Sequence, residues 1–259
     1  MDTLAERWTR LEPFATFHGP EDARPRPTVL LFHGCGGLRP HLPIYAEQAK
    51  AAGWRAVIVD SFAPRGWSRE FAMTMVCSGV LLRGWERAGD ILAALEGVAR
   101  RPDVDGSRLA VAGWSHGGWG IMEAMSCARD RPGRLGVADP WAADLERVKA
   151  AFLAYPYVGV AALNRMRPWR QRPKTLVITA SRDHLTTLRN ADRVSAAMIG
   201  CGVPMESWTA PGTHAFDEPM NAPPMRYDPD LAVQAHARFR RLLESTAEAP
   251  EGEDRVEAA

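Results

Sequence analysis

Apolar residues in this chain fall in short runs, at Thr28 to Phe32, Arg55 to Val59, Arg108 to Ala112, Lys149 to Ala154, Lys174 to Thr179 and Met205 to Trp208. Runs this short and this apolar predict buried strands. Most are separated by stretches with helical spacing. Between Leu81 and Ala99 the positions Leu81, Trp85, Ala88, Leu92, Leu95 and Ala99 step by alternating fours and threes, which is one face of a helix. Gly84 and Gly89 each cost that helix roughly 1 kcal/mol relative to Ala, so packing has to hold it. Leu231, Ala235, Phe239, Leu242 and Leu243 predict a C-terminal helix that covers the sheet. Strands alternating with helices predict an α/β protein with a mostly parallel central sheet and helices on both faces.

Two irregular segments, Ser61 to Val80 and Arg129 to Glu146, interrupt the alternation. Long loops in a compact domain tend to serve function, which makes both candidate walls or lids for a site. Residues 28–246 read as one domain, preceded by a segment, 1–27, that could add edge strands. Residues 247–259 are acidic, with Val256 their one large apolar side chain, and cannot offset their ordering entropy by burial. A disordered tail is expected there.

Charge and composition narrow the partners. Lys and Arg number 32 against 31 Asp and Glu, so no overall field gathers nucleic acid or an anionic membrane. No run approaches the roughly 18 to 20 apolar residues that span a bilayer. Asp2, Glu6 and Arg7 precede any stretch that could form the core of a signal peptide. Cys35, Cys77, Cys127 and Cys201 are scattered without metal-like spacing, which predicts reduced thiols in the cytoplasm. His33 and Cys35 have no further ligands at suitable spacing, so neither a metal nor a cofactor is expected. Chemistry on a small molecule remains as the starting expectation.

Gly113-Trp114-Ser115-His116-Gly117 matches G-x-S-x-G, directly follows a predicted strand and precedes a helix-like stretch. A nucleophile elbow needs that setting, because the chain must turn sharply at Ser with small neighbours on either side. Outside it, the pentapeptide reads as a tight turn. A Ser hydroxyl is a weak nucleophile near neutral pH and needs a base, itself oriented by a third group. Asp183 follows the strand Lys174 to Thr179, where ligand sites gather in open parallel sheets, and takes the acid role. His214 lies in a turn-rich loop after Met205 to Trp208 and takes the base role. His184 adjoins Asp183 and reads as a solvated loop residue. Asp217, three residues beyond His214, reads as a local turn or cap. His18, His41 and His236 read as surface residues. The glycines of His33-Gly34-Cys35-Gly36-Gly37-Leu38 let backbone N–H groups approach a developing oxyanion. The expected donors are the N–H groups of Cys35 and His116. Trp67, Trp114, Trp119 and Trp141 lie beside these segments, and Trp114, inside the elbow, is expected to line an acyl pocket.

HGCGGL at 33–38, DSFAPRG at 60–66, GWSHGG at 113–118, the acid at Asp183 and HAF at 214–216 together resemble the dienelactone hydrolase family of α/β-hydrolases. The resemblance runs from Thr28 to the C-terminal helix and implies an α/β-hydrolase fold with a sheet of about eight strands. It also implies hydrolysis of a small-molecule ester or lactone through an acyl-enzyme. The namesake enzymes carry Cys at the elbow, whereas this chain carries Ser115. Family arginines bind a substrate carboxylate, which implies Arg65 or Arg182 here, since a guanidinium matches a carboxylate in a two-pronged way. A peptidase or acyl-aminoacyl hydrolase could use the same three residues, and a non-catalytic binding protein could keep the scaffold without turnover.

Overall fold

A computed structural model of the chain describes residues 1–159, 162 and 167–247. Seven strands form one sheet: β1 (Ala15–His18), β2 (Arg26–Phe32), β3 (Arg55–Val59), β4 (Val104–Trp114), β5 (Val148–Ala154), β6 (Lys174–Arg182) and β7 (Met205–Thr213). Their order is β1-β3-β2-β4-β5-β6-β7, and every pairing is parallel except that of β1 with β3. All six predicted strands are present. The seventh, β1, is an edge strand supplied by the N-terminal segment, which also contributes an unforeseen helix, α1 (Leu4–Leu11). Among the described residues the sheet has seven strands, close to the expected eight.

Side chains alternate between the two faces of each strand, and so feed two separate cores. Val29 and Leu31 of β2 join Ala110 and Ala112 of β4 and Phe152 of β5 on one face. That face is covered by α2 (His41–Ala51) and by α7 (Pro229–Ala247), the predicted C-terminal helix, through Leu42, Tyr45, Leu231, Phe239 and Leu243. Leu30, Phe32, Val111 and Leu153 point to the other face, under α1, α4 (Gly84–Ala99), α5 (His116–Ser126) and α6 (Leu188–Gly200). The glycines that weaken α4 as an isolated helix are its contact points. A Cβ at Gly84 would stand 2.2 Å from the Trp119 ring, and one at Gly89 would stand 2.2 Å from the Leu135 carbonyl oxygen.

The two irregular segments differ. Residues 61–80 contain a short 3-10 turn, Ala63–Arg65, and a helix, α3 (Arg69–Cys77), while 129–146 hold only 3-10 turns. The cysteines depart from expectation: Cys35 and Cys77 form a disulfide, with Cα atoms 5.3 Å apart, and only Cys127 and Cys201 are free. Spacing along the chain missed this pair because α3 folds back over the glycine loop 42 residues earlier. No helix among the described residues is long and apolar enough to cross a membrane. The acidic tail falls almost wholly outside the described residues.

Candidate active site

Ser115, Asp183 and His214 are each the first residue beyond the C-terminal end of a strand, β4, β6 and β7 respectively. Parallel strands bring those ends to one edge of the sheet. Ser115 Oγ lies 2.9 Å from His214 Nε2, and Asp183 Oδ2 lies 2.7 Å from His214 Nδ1. The acceptor-only carboxylate of Asp183 fixes the imidazole with its proton on Nδ1, leaving Nε2 free to accept from the hydroxyl. Asp183 Oδ1 accepts from the backbone N–H groups of Leu185 and Thr186, at 2.7 and 3.0 Å. Burial alone would raise this carboxyl, but the bond and charge of His214, with the two amides, more than offset it and hold it below its ordinary range.

Local backbone makes the elbow. Ser115 adopts φ 50°, ψ −109°, a strained conformation for a residue with a side chain. Its N–H donates to the Ala154 carbonyl at 2.9 Å, and its carbonyl accepts from Trp119 and Tyr157. A Cβ at Gly117 would stand 2.1 Å from the Phe32 carbonyl oxygen, and one at Gly113 would stand 2.6 Å from the Gly117 backbone. Both positions therefore require glycine.

A cavity of about 560 Å³ opens over Ser115 and His214. The glycine loop, with Cys35, forms one side, together with His116 at the start of α5. His33 holds that loop: Nδ1 donates to the Gly34 carbonyl at 2.7 Å, while Nε2 accepts from the Ser61 N–H at 3.2 Å. Burial, with the charge of Arg87, pushes the His33 pKa down, consistent with a neutral ring bracing the loop. The His116 ring is also turned away from chemistry, its Nε2–H donating to the Leu82 carbonyl at 2.7 Å, and burial lowers its pKa to about 3. Among the described residues no His, Cys, Asp and Glu cluster could hold a metal ion.

The structure redraws the rest of the pocket. Trp114 is fully buried beneath the elbow, packed on Tyr45 and Phe152, and does not line the cavity. Trp85, Trp119 and Tyr157 line it instead. Arg65 is paired with buried Asp90 at 2.9 Å, and Arg182 donates to the Pro211 carbonyl at 2.8 Å; neither faces the cavity. The arginines that do are Arg39 and Arg83. Arg39 lies 3.8 Å from Glu218, a half-buried residue on the same wall whose carboxyl is pushed up to about 7 by burial and by the charge of Asp217. Sequence spacing gives no signal for either arginine, because Arg39 comes from the loop before α2 and Arg83 from the cap of α4. His184 lines the cavity and packs edge-on against His214 at 5.8 Å, and the imidazole bonded to Ser115 Oγ is that of His214. His41, expected at the surface, is fully buried between Tyr45 and Trp114. Of the irregular segments, 61–80 contributes Met73, Val76, Cys77, Ser78 and Gly79 to the cavity, and 129–146 contributes nothing to it.

Comparison with known proteins places the fold and the family. The chain aligns structurally with a dienelactone hydrolase-like promiscuous phosphotriesterase from metagenomic libraries, at TM-score 0.68 and 19% identity over 90% of this chain and 92% of the other. A putative dienelactone hydrolase from Klebsiella pneumoniae aligns at TM-score 0.64 and 16% identity, over 91% and 92%. An esterase from Thermogutta terrifontis, phosphonylated by sarin, aligns at 0.66 and 14%, over 92% and 91%. No curated protein sequence matches the chain. At these identities the structures speak to the fold, which is that of the α/β-hydrolases. The sequence profile of the dienelactone hydrolase family matches residues 14–247, nearly the whole chain, and so the protein belongs to the dienelactone hydrolase family and is a hydrolase of that kind.

Proposed function

We propose that this protein is a serine hydrolase that cleaves a carboxylic ester or lactone of a small molecule through an acyl-enzyme. The observation that carries this reading is the continuous chain Ser115 Oγ, His214 Nε2, His214 Nδ1, Asp183 Oδ2, with contacts of 2.9 and 2.7 Å and with Ser115 and His214 lining one cavity. In it, His214 removes the hydroxyl proton as Ser115 attacks the carbonyl carbon, and Asp183 stabilises the imidazolium that forms. The Cys35 and His116 N–H groups, from two segments that line the cavity with Ser115, receive the oxyanion; each such donor contributes about 3 to 4 kcal/mol in comparable sites. His214 then gives its proton to the leaving oxygen. Water, deprotonated by the same imidazole, attacks the acyl carbon and releases the acid. The apolar side chains of Met73, Val76, Trp85 and Trp119 suit an uncharged acyl or alcohol portion. The esterase fold-neighbour phosphonylated by sarin suggests the probe. Treatment with a fluorophosphonate, followed by mass spectrometry, should place the adduct on Ser115 and find none in His214→Ala. An adduct elsewhere, or equal labelling of both proteins, would reject the mechanism.

A further inference from the structure

Asp217, which sequence spacing reads as a local cap, is 1% exposed and lies on the core side of the loop whose other side presents His214. Its carboxyl group accepts three hydrogen bonds from three separate segments. Tyr45 of α2 donates to Oδ2 at 2.7 Å, Trp114 at the end of β4 donates to Oδ2 at 3.2 Å, and Tyr155 just past β5 donates to Oδ1 at 2.6 Å. Two of those segments touch the reacting groups. Trp114 precedes Ser115, and the Tyr155 ring packs edge-on against the His214 imidazole, with centroids 4.7 Å apart and planes at 61°. Because β5 lies between β4 and β6, Tyr155 stands between the strand ends that carry Ser115 and Asp183. The backbone there is strained at three non-glycine residues, with φ 50° at Ser115, 36° at Tyr155 and 57° at Ala215. Such conformations persist only where surrounding contacts over-determine them.

We infer that Asp217 is a positioning residue: by tying Trp114 and Tyr155 to the His214 loop, it fixes where the imidazole stands relative to the Ser115 hydroxyl. The inference rests on the proposed roles of Ser115 and His214. A displacement of about 1 Å at such a contact costs on the order of 10²-fold in rate, so the bonds matter beyond the stability they add. Tyr45 provides the contrast within the same cluster. Its ring is held by Trp114, Phe152, Phe239 and His236 and does not pack against His214.

The test compares Asp217→Asn, Tyr155→Phe and Tyr45→Phe by kcat and KM on a p-nitrophenyl ester, by the rate of Ser115 phosphonylation, and by Tm. The tyrosine variants each remove one hydroxyl bound to the same carboxyl and should lower Tm alike, each bond contributing a similar amount. Tyr155→Phe should lower kcat and the phosphonylation rate by roughly tenfold, and Asp217→Asn by up to about 10²-fold, with KM changed less than about twofold. Tyr45→Phe should change kcat less than about threefold. Equal kcat in the two tyrosine variants overturns the inference, and that pair decides it even where Asp217→Asn does not fold. A wild-type protein inert to both ester and fluorophosphonate sinks the proposed function and this inference with it. An active wild type with a flat tyrosine series sinks the inference alone.

Discussion

On one rim of the cavity, Ser115 and Asp183 leave strands paired on both sides, and His214 leaves β7, which is paired to β6 along its length. On the opposite rim, α3 and the turn at Gly79 rest on a small apolar cluster, Phe62, Ala72, Val76 and Leu82, separate from the two main cores. The first rim is held by the sheet and by buried polar bonds. The second is held by a few side chains and the Cys35–Cys77 disulfide. Reacting atoms need positions fixed to within a fraction of an ångström, whereas a pocket wall needs only to exclude water and admit substrate. The two rims therefore predict different failures when perturbed.

The largest effect belongs to the sheet rim. Ser115→Ala, which keeps a Cβ on the strained elbow, should lower kcat/KM for an ester by about 10⁴-fold or more while leaving Tm nearly unchanged. Asp183→Asn should approach the same loss, because an amide no longer fixes the imidazole proton on Nδ1. A steady-state assay beside a thermal melt separates the two quantities. Retention of a tenth of the activity in either variant would mean that another group performs the attack.

On the α3 rim, stability should fall more than catalysis. Cys35→Ala with Cys77→Ala opens a loop of 42 residues, and the loop-closure relation puts the entropic part of that change at about 4 kcal/mol. The Cys35 N–H survives the substitution, and the His33 hydrogen bonds still hold the glycine loop. The expected outcome is a clear drop in Tm with kcat within about threefold of wild type, seen also when the wild type is treated with dithiothreitol. Loss of kcat in step with Tm would show that the disulfide positions the oxyanion donors directly, erasing the distinction between the rims.

The same division explains what was legible from sequence. Strands β2 to β6 announce themselves through apolar runs buried in the sheet, β7 is a half-exposed edge strand marked only by a short run before its turn-rich loop, and the ends of β4, β6 and β7 then locate Ser115, Asp183 and His214 by chain order. The Cys35–Cys77 pair carries no such signal, since its contact depends on how α3 folds across the cavity. Trp114 departs from the pocket-lining expectation for a related reason: the residue before Ser115 still belongs to the strand, so its side chain follows the strand's alternation into the core beside Phe152. Asp217 and Glu218 are consecutive, yet one enters the core and the other the cavity wall. A local cap motif cannot reveal that split, because it is decided by Tyr45 of α2 and by Tyr155 just past β5.

Glu218 offers a gentler probe of the sheet rim. Burial and the neighbouring Asp217 raise its carboxyl from 4.5 to about 7, against the opposing charges of Arg39 and Arg69; His41 Nδ1 stands 4.0 Å away. The folded protein therefore binds a proton that the unfolded chain has released between those values, and stability declines as pH rises through that window. Glu218→Gln removes the proton and its slope. Thermal melts from pH 4.5 to 8 should show the wild type losing Tm relative to Glu218→Gln as the pH rises. Parallel curves would place the carboxyl in a more solvated setting than the cavity wall.

The smallest effects are expected at the two arginines that the family resemblance singled out. Arg65 shares the buried Asp90 with Arg7, so Arg65→Ala should cost roughly 1 to 3 kcal/mol of stability by stripping one partner from a buried carboxylate. Because Arg65 lies off the cavity, it should show no preference between acidic and neutral esters. Arg182 is exposed and holds only the Pro211 carbonyl, so Arg182→Ala should stay within about 0.5 kcal/mol of wild type and alter kcat/KM by less than about twofold on either ester. The sharp comparison is the ratio of the two substrates in each variant. A selective loss on the acidic ester in Arg182→Ala would mean that substrate reaches across the edge of the sheet past β7, and that the cavity between the rims is not the whole binding site.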